Sequence, residues 1–424
     1  MPMSEGFQNR LFPALPKIIE FFGTPFHIFD EKGIIETGEG LKTAFKDIYG
    51  FKEFYAVKAL PNPAILKIMQ KMGYGVDCSS NSELILSRAN GFLGEEIMFS
   101  SNNTTDELFK LSQEDGGCIL NIDDISMVDR IKPFPKFICF RYNPGERRTG
   151  NQIIGIPVEA KYGLRHDQIV EGYRMAVKKG AKRFGVHSMI ISNERNYRYM
   201  VETVRMLLDV IKNITKELKI KFEFFNISGG IGIPYRPDDN PFDINGLVRE
   251  SKILLEDFQL KQKYVPKLFM ECGRYMTGPH GALVMTAINR MSKYREYIGV
   301  NASTLSANPR PAYYEAAYHH ISVLDPSGKP RQGKEEIVDV VGPLCENNDK
   351  FAKQRKLPRA EIGDIIVQHD TGAHSPAMGG NYNGWLRPKE LLLHVDGSVE
   401  LIRRAETIDD LFATLKFEPK VLKP

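Results

Sequence analysis

Short apolar runs alternate with stretches of helical spacing along the first part of this chain, and that rhythm is the strongest limit on what it can fold into. Glu53 to Ala59 reads as a strand. Pro63 to Met72 follows it, with Ile65, Ile68, Met69 and Met72 on one helical face. The pattern returns as Gly75 to Cys78 before Ser82 to Ala89, Ile97 to Phe99 before Thr105 to Gln113, and Ile119 to Ile122 before Ile125 to Ile131. Further strands are expected at Phe137 to Tyr142, Phe184 to Ile191, Phe222 to Ile227 and Lys267 to Glu271, with an amphipathic helix over Met200 to Leu218. About eight strand–helix steps over roughly 240 residues predict an α/β fold, a (β/α)8 TIM-type barrel.

The texture changes after Gly273. Ala282 to Arg290, Tyr297 to Ala302, Tyr318 to Val323, Glu336 to Val341, Ile365 to His369 and Glu390 to Val395 read as strands separated by Gly, Pro and Asn. They predict a C-terminal all-β barrel or sandwich domain. The run Phe26 to Phe29 is also strand-like and can join either part. The expected division is residues 31–275 for the barrel, with 1–30 and 276–424 forming the β domain. A chain of 424 residues is long enough for two cores. Its net charge of +4 is spread along the sequence, and Lys178-Lys179 or Lys216 to Lys221 fit solvated helix faces, so no nucleic-acid partner is expected. No run approaches a membrane span and Met1 to Arg10 lacks an apolar leader core, which predicts a cytoplasmic protein. The five cysteines, 78, 118, 139, 272 and 345, form no CxxC pair, so neither a disulfide frame nor a metal site is expected.

Several positions carry residue types suited to chemistry. Lys58 in FYAVKA closes an apolar run, which would place it at the mouth of a barrel. Desolvation there would lower its pKa and make it a usable Schiff-base nucleophile, although a strand-end lysine also snorkels to solvent. Ser228 to Gly232, SGGIG, follows the run FEFFNI. Glycines there let backbone N–H groups approach a phosphate, as ordinary turn glycines also can. Glu271 in ECGR ends the last barrel run. An acid at that place can bond a pyridine nitrogen and favour its protonated form, the stronger electron sink and the one suited to decarboxylation; an ion pair with Arg274 is the plainer alternative. Cys345 and Glu346 in GPLCENND could move a proton and bind an amine. Asp370 to Gly384 is a turn-rich loop holding His374, Tyr382 and Asn383.

These segments together resemble the alanine-racemase-fold (fold type III) decarboxylases that use pyridoxal 5'-phosphate, in particular the diaminopimelate decarboxylases. FYAVKALPNPAIL, GYGVDCSSNSEL, FSSNNTTDEL, FRYNPG, NISGGIG, ECGR, NPRPAYY, GPLCENND and GAHSPAMGGNYNG match family blocks in order over nearly the whole chain. The resemblance implies that Lys58 carries the cofactor and that Gly229, Gly230 and Gly232, with backbone near Gly273 and Arg274, cradle its phosphate. Glu271 would bond the ring nitrogen, and Asp77, Glu83 and Arg141 would line the cofactor or support it. Arg274, Arg310 and Tyr314 would hold the distal end of the substrate. Cys345 and Glu346 would act in the neighbouring subunit's site, making a homodimer with shared sites the working unit. Glutamate after the cysteine points to meso-diaminopimelate, with L-lysine and carbon dioxide as products; the ornithine branch has aspartate there.

The sequence departs from the family pattern on the cofactor's walls. Met189 stands where a stacking histidine is usual, Ile191 replaces a glycine, Cys272 a proline, and His374 a tyrosine that usually contacts the phosphate. Met189 can still pack on a ring and His374 can still donate a hydrogen bond. The departures leave open a decarboxylase specialised for another basic or D-configured amino acid. A racemase of the same fold is opposed by Glu271 and Cys345, and a non-catalytic cofactor-binding protein by the set Lys58, Glu271, Cys345 and Glu346.

Overall fold

The computed structural model describes residues 3–150, 153, 155–420 and 422. It divides into two compact units. One contains Ile34–Pro234 and Asp238–Met276; the other contains the residues up to Gly33, the segment Tyr235–Pro237, and the residues from Thr277 onward.

The first strand, β1 (Phe26–Asp30), belongs to the second unit. The next eight close the first unit into a parallel barrel: β2 (Lys52–Ala56), β3 (Gly75–Cys78), β4 (Gly94–Phe99), β5 (Cys118–Ile122), β6 (Phe137–Arg141), β7 (Arg183–His187), β8 (Phe224–Asn226) and β9 (Lys267–Met270), which pairs back with β2. Strands buried on both faces read as continuous apolar runs, which is why the sequence marks them clearly. Phe54, Met98, Ile119, Cys139, Phe224 and Phe269 pack into one core cluster. Phe224 stacks on Phe269 with ring centroids 4.4 Å apart. Gly185 makes room for that stack, since a Cβ there would lie 2.0 Å from the Phe224 ring.

Helices follow most of the barrel strands, and their caps are legible. Asn62 accepts a hydrogen bond from the Ala64 N–H, with Pro63 in the first turn of the helix Pro63–Lys71. Ser80 and Thr105 cap Asn81–Ala89 and Asp106–Gln113. The helix Tyr197–Leu218 buries Val201, Val204, Leu208 and Ile211 along one stripe. The helix expected over Ile125 to Ile131 is instead one 3-10 turn, Ile125–Met127. Pro133 and Pro135 follow closely and cannot extend it, because proline lacks the N–H and restricts the residue before it.

The second unit is a mixed sheet. Its strands are β1, β10 (Gly281–Ser292), β11 (Glu296–Val300), β12 (Ile321–Leu324), β13 (Glu335–Val341), β14 (Lys350–Pro358), β15 (Ile365–Gln368), β16 (Lys389–Leu393) and β17 (Val399–Arg403). The order is β14-β13-β11-β10-β1-β16-β17, with β15 pairing β10 and β12. β1 runs antiparallel to β10 and parallel to β16, which settles its membership. Two N-terminal helices, Glu5–Leu11 and Leu15–Phe22, lay Phe7, Leu11, Leu15 and Ile18 against Phe26, Ile28, Val284 and Leu391. Each such fully buried side chain contributes about 1.5–3 kcal/mol. No helix among the described residues is long and apolar enough to cross a membrane.

Candidate active site at the barrel mouth

The C-terminal ends of the barrel strands surround a cavity of about 350 Å³ lined by Lys58, Asp77, Ser79, Ser100, Asn102, Arg141, Tyr162, His187, Met189, Ser228 and Glu271. That volume is in the range of small-ligand sites. Lys58 is not the last residue of a strand. β2 ends at Ala56, and Val57–Ala59 form a 3-10 turn closed by the Leu60 N–H bonding the Val57 carbonyl at 3.2 Å. The turn leaves the Lys58 side chain 44% exposed, with Nζ donating to Asp77 Oδ2 at 2.7 Å. Burial pulls the Lys58 pKa down, but the negative charges of Asp77, Glu271 and Glu83 outweigh it, and the pKa stands above the ordinary lysine value. The expectation of an amine made neutral by desolvation is therefore corrected: Lys58 is held as an ammonium by its carboxylate neighbours.

Asp77 is buried, and its second oxygen, Oδ1, has no hydrogen-bond partner among the described residues. Burial and the Glu271 charge push its pKa up, while Lys58 pulls it back only in part. Glu83 sits one layer out. Its Oε2 accepts from the Ser79 N–H at 2.6 Å and so fixes the turn after β3.

Across the barrel, Glu271 follows β9 and is buried. Oε1 accepts from Asn226 Nδ2 at 2.7 Å; Oε2 lies 3.1 Å from His187 Nε2 and accepts from Ser228 Oγ at 3.0 Å. Burial alone would raise the Glu271 pKa, but His187, Lys58 and Ser228 together hold it below the ordinary carboxylate range. The other ring nitrogen of His187, Nδ1, is buried without a partner among the described residues. The sequence marks Ser228 only as the head of the glycine run and gives no sign of the part played by His187 and Asn226, because their role exists only once β7, β8 and β9 lie side by side.

Arg141 ends β6, with its guanidinium 3.8 Å from the centre of the Tyr162 ring and 3.6 Å from Asp123. Met189 lines the same cavity, and its sulfur lies 2.8 Å from Ser228 Oγ. The glycines after β8 are demanded first by close backbone approach. A Cβ on Gly229 would meet the Glu271 carbonyl at 2.2 Å, and one on Gly230 the Ile191 carbonyl at 2.6 Å. A Cβ on Gly232 would meet Asn193 at 2.7 Å, and one on Gly273 the Ala59 methyl at 2.7 Å. Gly230 also has φ +88°, open to glycine at little cost. This turn can present N–H groups to an anion. Arg274 is buried in the short helix Arg274–Thr277.

The remaining candidates lie in the sheet unit. Arg310 is buried and bonds the Tyr235 hydroxyl, over whose ring its guanidinium sits at 4.5 Å. Tyr314 caps the short helix Arg310–Tyr313. His374 is half-buried with φ +57°. Cys345 and Glu346 are exposed in one loop, and the structure brings them to Tyr382 and Asn383. The Cys345 N–H donates to Asn383 Oδ1 at 3.2 Å, Cys345 Sγ lies 3.8 Å from the Tyr382 hydroxyl, and that hydroxyl donates to Glu346 Oε1 at 3.4 Å. The loop is anchored by buried Asp349, which accepts from the Thr304 N–H at 2.6 Å, the Thr304 hydroxyl at 2.7 Å and the Leu344 N–H at 2.8 Å.

Residues 33–278 match the pyridoxal-dependent decarboxylase family in its pyridoxal binding domain. The chain is 43% identical to Protein TabA of Pseudomonas amygdali pv. tabaci, over 99% of this chain and 97% of that protein. It is 32% identical to the diaminopimelate decarboxylase of Methanothermobacter thermautotrophicus, over 96% and 95% of the two chains. The crystal structure of a diaminopimelate decarboxylase from M. jannaschii in complex with L-lysine superposes with a TM-score of 0.84 at 29% identity, covering 96% of this chain and 94% of that one.

Proposed function

This chain belongs to the pyridoxal-dependent decarboxylases, and on that premise we propose that it converts meso-diaminopimelate to L-lysine and carbon dioxide. It is a carboxy-lyase acting on an amino acid, and its cofactor is pyridoxal 5'-phosphate. The residues present fit that group. An amine and an ionised acid line one cavity, a glycine turn follows β8, and Asp77 Oδ1 and His187 Nδ1 are buried polar atoms still lacking partners.

The observation that carries the reading is Glu271, buried and hydrogen-bonded by His187, Asn226 and Ser228 in the cavity that contains Lys58. When bound, the cofactor supplies an electron sink for the pair left at the substrate's α-carbon. Lys58 would carry the cofactor, with its amine oriented by Asp77 Oδ2 at 2.7 Å. Glu271 would favour a protonated ring nitrogen by its charge. The turn at Gly229, Gly230 and Gly232, with Gly273 and Arg274, would hold the phosphate, with His374 as a further donor. Arg141 and Glu83 would keep the walls in place, and Met189 would supply an apolar wall.

Arg274, Arg310 and Tyr314 take the distal carboxylate, for which guanidinium is the bidentate partner. Glu346 binds the distal amine, and Cys345 Sγ or Lys58 Nζ returns a proton to the α-carbon. Cys345 and Glu346 serve the site of a second copy, so the working unit is a homodimer, placed in the cytoplasm. Support for the shared site is that both side chains are exposed on a well-anchored loop.

A second reading is a decarboxylase specialised for another basic or D-configured amino acid. It is favoured by Met189, Ile191, Cys272 and His374 on the cofactor's walls, and by the higher identity to Protein TabA than to the diaminopimelate decarboxylase above. One experiment separates the two. Holoprotein is given meso-diaminopimelate, L-lysine, L-ornithine and L-arginine, and carbon dioxide release is measured. Release from meso-diaminopimelate alone is the expected result. No release from it, with turnover of another substrate, overturns the proposal.

A further inference from the structure

Ser228 is held at φ +61°, a left-handed conformation in which a residue with a Cβ is strained and glycine is not. It is followed directly by two glycines, so the chain has the permissive residue at hand but places a serine first. The side chain accounts for the difference. Its buried hydroxyl stands 3.0 Å from Glu271 Oε2 and 2.8 Å from Met189 Sδ, with one proton to serve both acceptors. The Ser228 backbone is tied to the same carboxylate residue. The Glu271 N–H donates to the Ser228 carbonyl at 3.0 Å, and the Ser228 N–H donates at 2.7 Å to Asn226 Oδ1, whose amide nitrogen holds the other Glu271 oxygen.

We propose that Ser228 is a positioning residue of the reaction, its strained backbone retained because it delivers a hydroxyl to Glu271 and so fixes the orientation and charge of the acid opposite the cofactor's ring nitrogen. The inference rests on the role given to Glu271 above. Backbone strain at a site that glycine would relieve needs a compensating function, and a hydrogen bond to a buried ionised carboxylate is strong enough to be that function. Met189 has a part in this arrangement. A thioether is a weak acceptor, so the Ser228 proton goes to the carboxylate and not to the wall opposite.

The charged and titratable groups around Glu271 are His187, Lys58, Asp77, Glu53, Arg141, Cys139 and Cys272. None is altered by changing Ser228, which leaves the hydroxyl as the variable.

The test uses two holoprotein variants, Ser228→Gly and Ser228→Ala. Both lack the hydroxyl, but only glycine relieves the strain. The visible absorption band of each is titrated with pH, melting temperature is recorded, and kcat and KM are measured. The proposal expects the same spectral shift in both variants, with the protonated-ring form retained to higher pH than in the wild type, because a carboxylate that loses a donor is the stronger base. It also expects a kcat lower by about tenfold with KM little changed. Melting temperature should divide the pair, with the glycine variant at or above wild type and the alanine variant below it. A glycine variant with wild-type spectrum and wild-type kcat overturns the proposal, and so does a spectral shift in alanine that is absent in glycine. Glu271→Gln serves as the reference. If it also leaves the spectrum unchanged, the role of Glu271 itself fails, a distinct result from failure of Ser228 alone.

Discussion

Lys58 and Asp77 define the electrostatics of the site at the scale of single residues. The ion pair at 2.7 Å raises the lysine's pKa, so under the proposed role the carboxylate that orients the amine would also hold back its use as a nucleophile. Removing that charge lowers the Lys58 pKa and enlarges its neutral fraction at any pH below the wild-type value. For Asp77→Asn, the pH profile of pyridoxal phosphate uptake by the apoprotein, followed by absorbance, is expected to move to lower pH. An unchanged profile would show that Asp77 does not control the amine. The residues that do chemistry by their type, Lys58 and Glu271, are legible in the sequence, because an amine and an acid each end an apolar run. His187, Asn226 and Ser228 are not, because each gains its meaning from a partner 84, 45 or 43 positions away in the chain. A serine at the head of a glycine turn was the one local sign available.

At the scale of elements, the barrel strands are legible because apolar side chains fill both of their faces. β14 is not: KFAKQRKLP exposes Lys353 and Lys356 and offers little apolar alternation, and pairing with β13 over Glu335 to Val341 makes it a strand. The turn after β2 is another shortfall, since the apolar pattern runs through Lys58 while the hydrogen-bonded strand stops at Ala56. The loop carrying Cys345 and Glu346 owes its shape to Asp349 and to Gly342, where a Cβ would meet Asp349 Oδ2 at 2.3 Å. Asp349→Ala strands the Thr304 and Leu344 donors. We expect a loss of about 1–3 kcal/mol in urea unfolding, together with reduced turnover. The visible band of the holoprotein should persist, because Lys58 is carried by the barrel. Wild-type stability would contradict the anchoring role.

For the whole molecule, the alternation of strand and helix foretells the barrel, and the Gly, Pro and Asn punctuation after Gly273 foretells a separate β-rich part. The chain order does not foretell that β1, from the N-terminal end, lies between β10 and β16. That placement is a long-range pairing, secured by Phe26 and Ile28 packing with Val284 and Leu391. The division of labour proposed is a barrel that holds the cofactor and a sheet unit that buries Arg310 and exposes Cys345 and Glu346. On this reading one lysine of the whole chain carries pyridoxal phosphate. The most direct measurement is to reduce the holoprotein with borohydride, digest it, and locate the pyridoxyl group by mass spectrometry. The account predicts the label on Lys58, with neither label nor visible band in Lys58→Ala; a label on another lysine, or a visible band that survives the substitution, would contradict it.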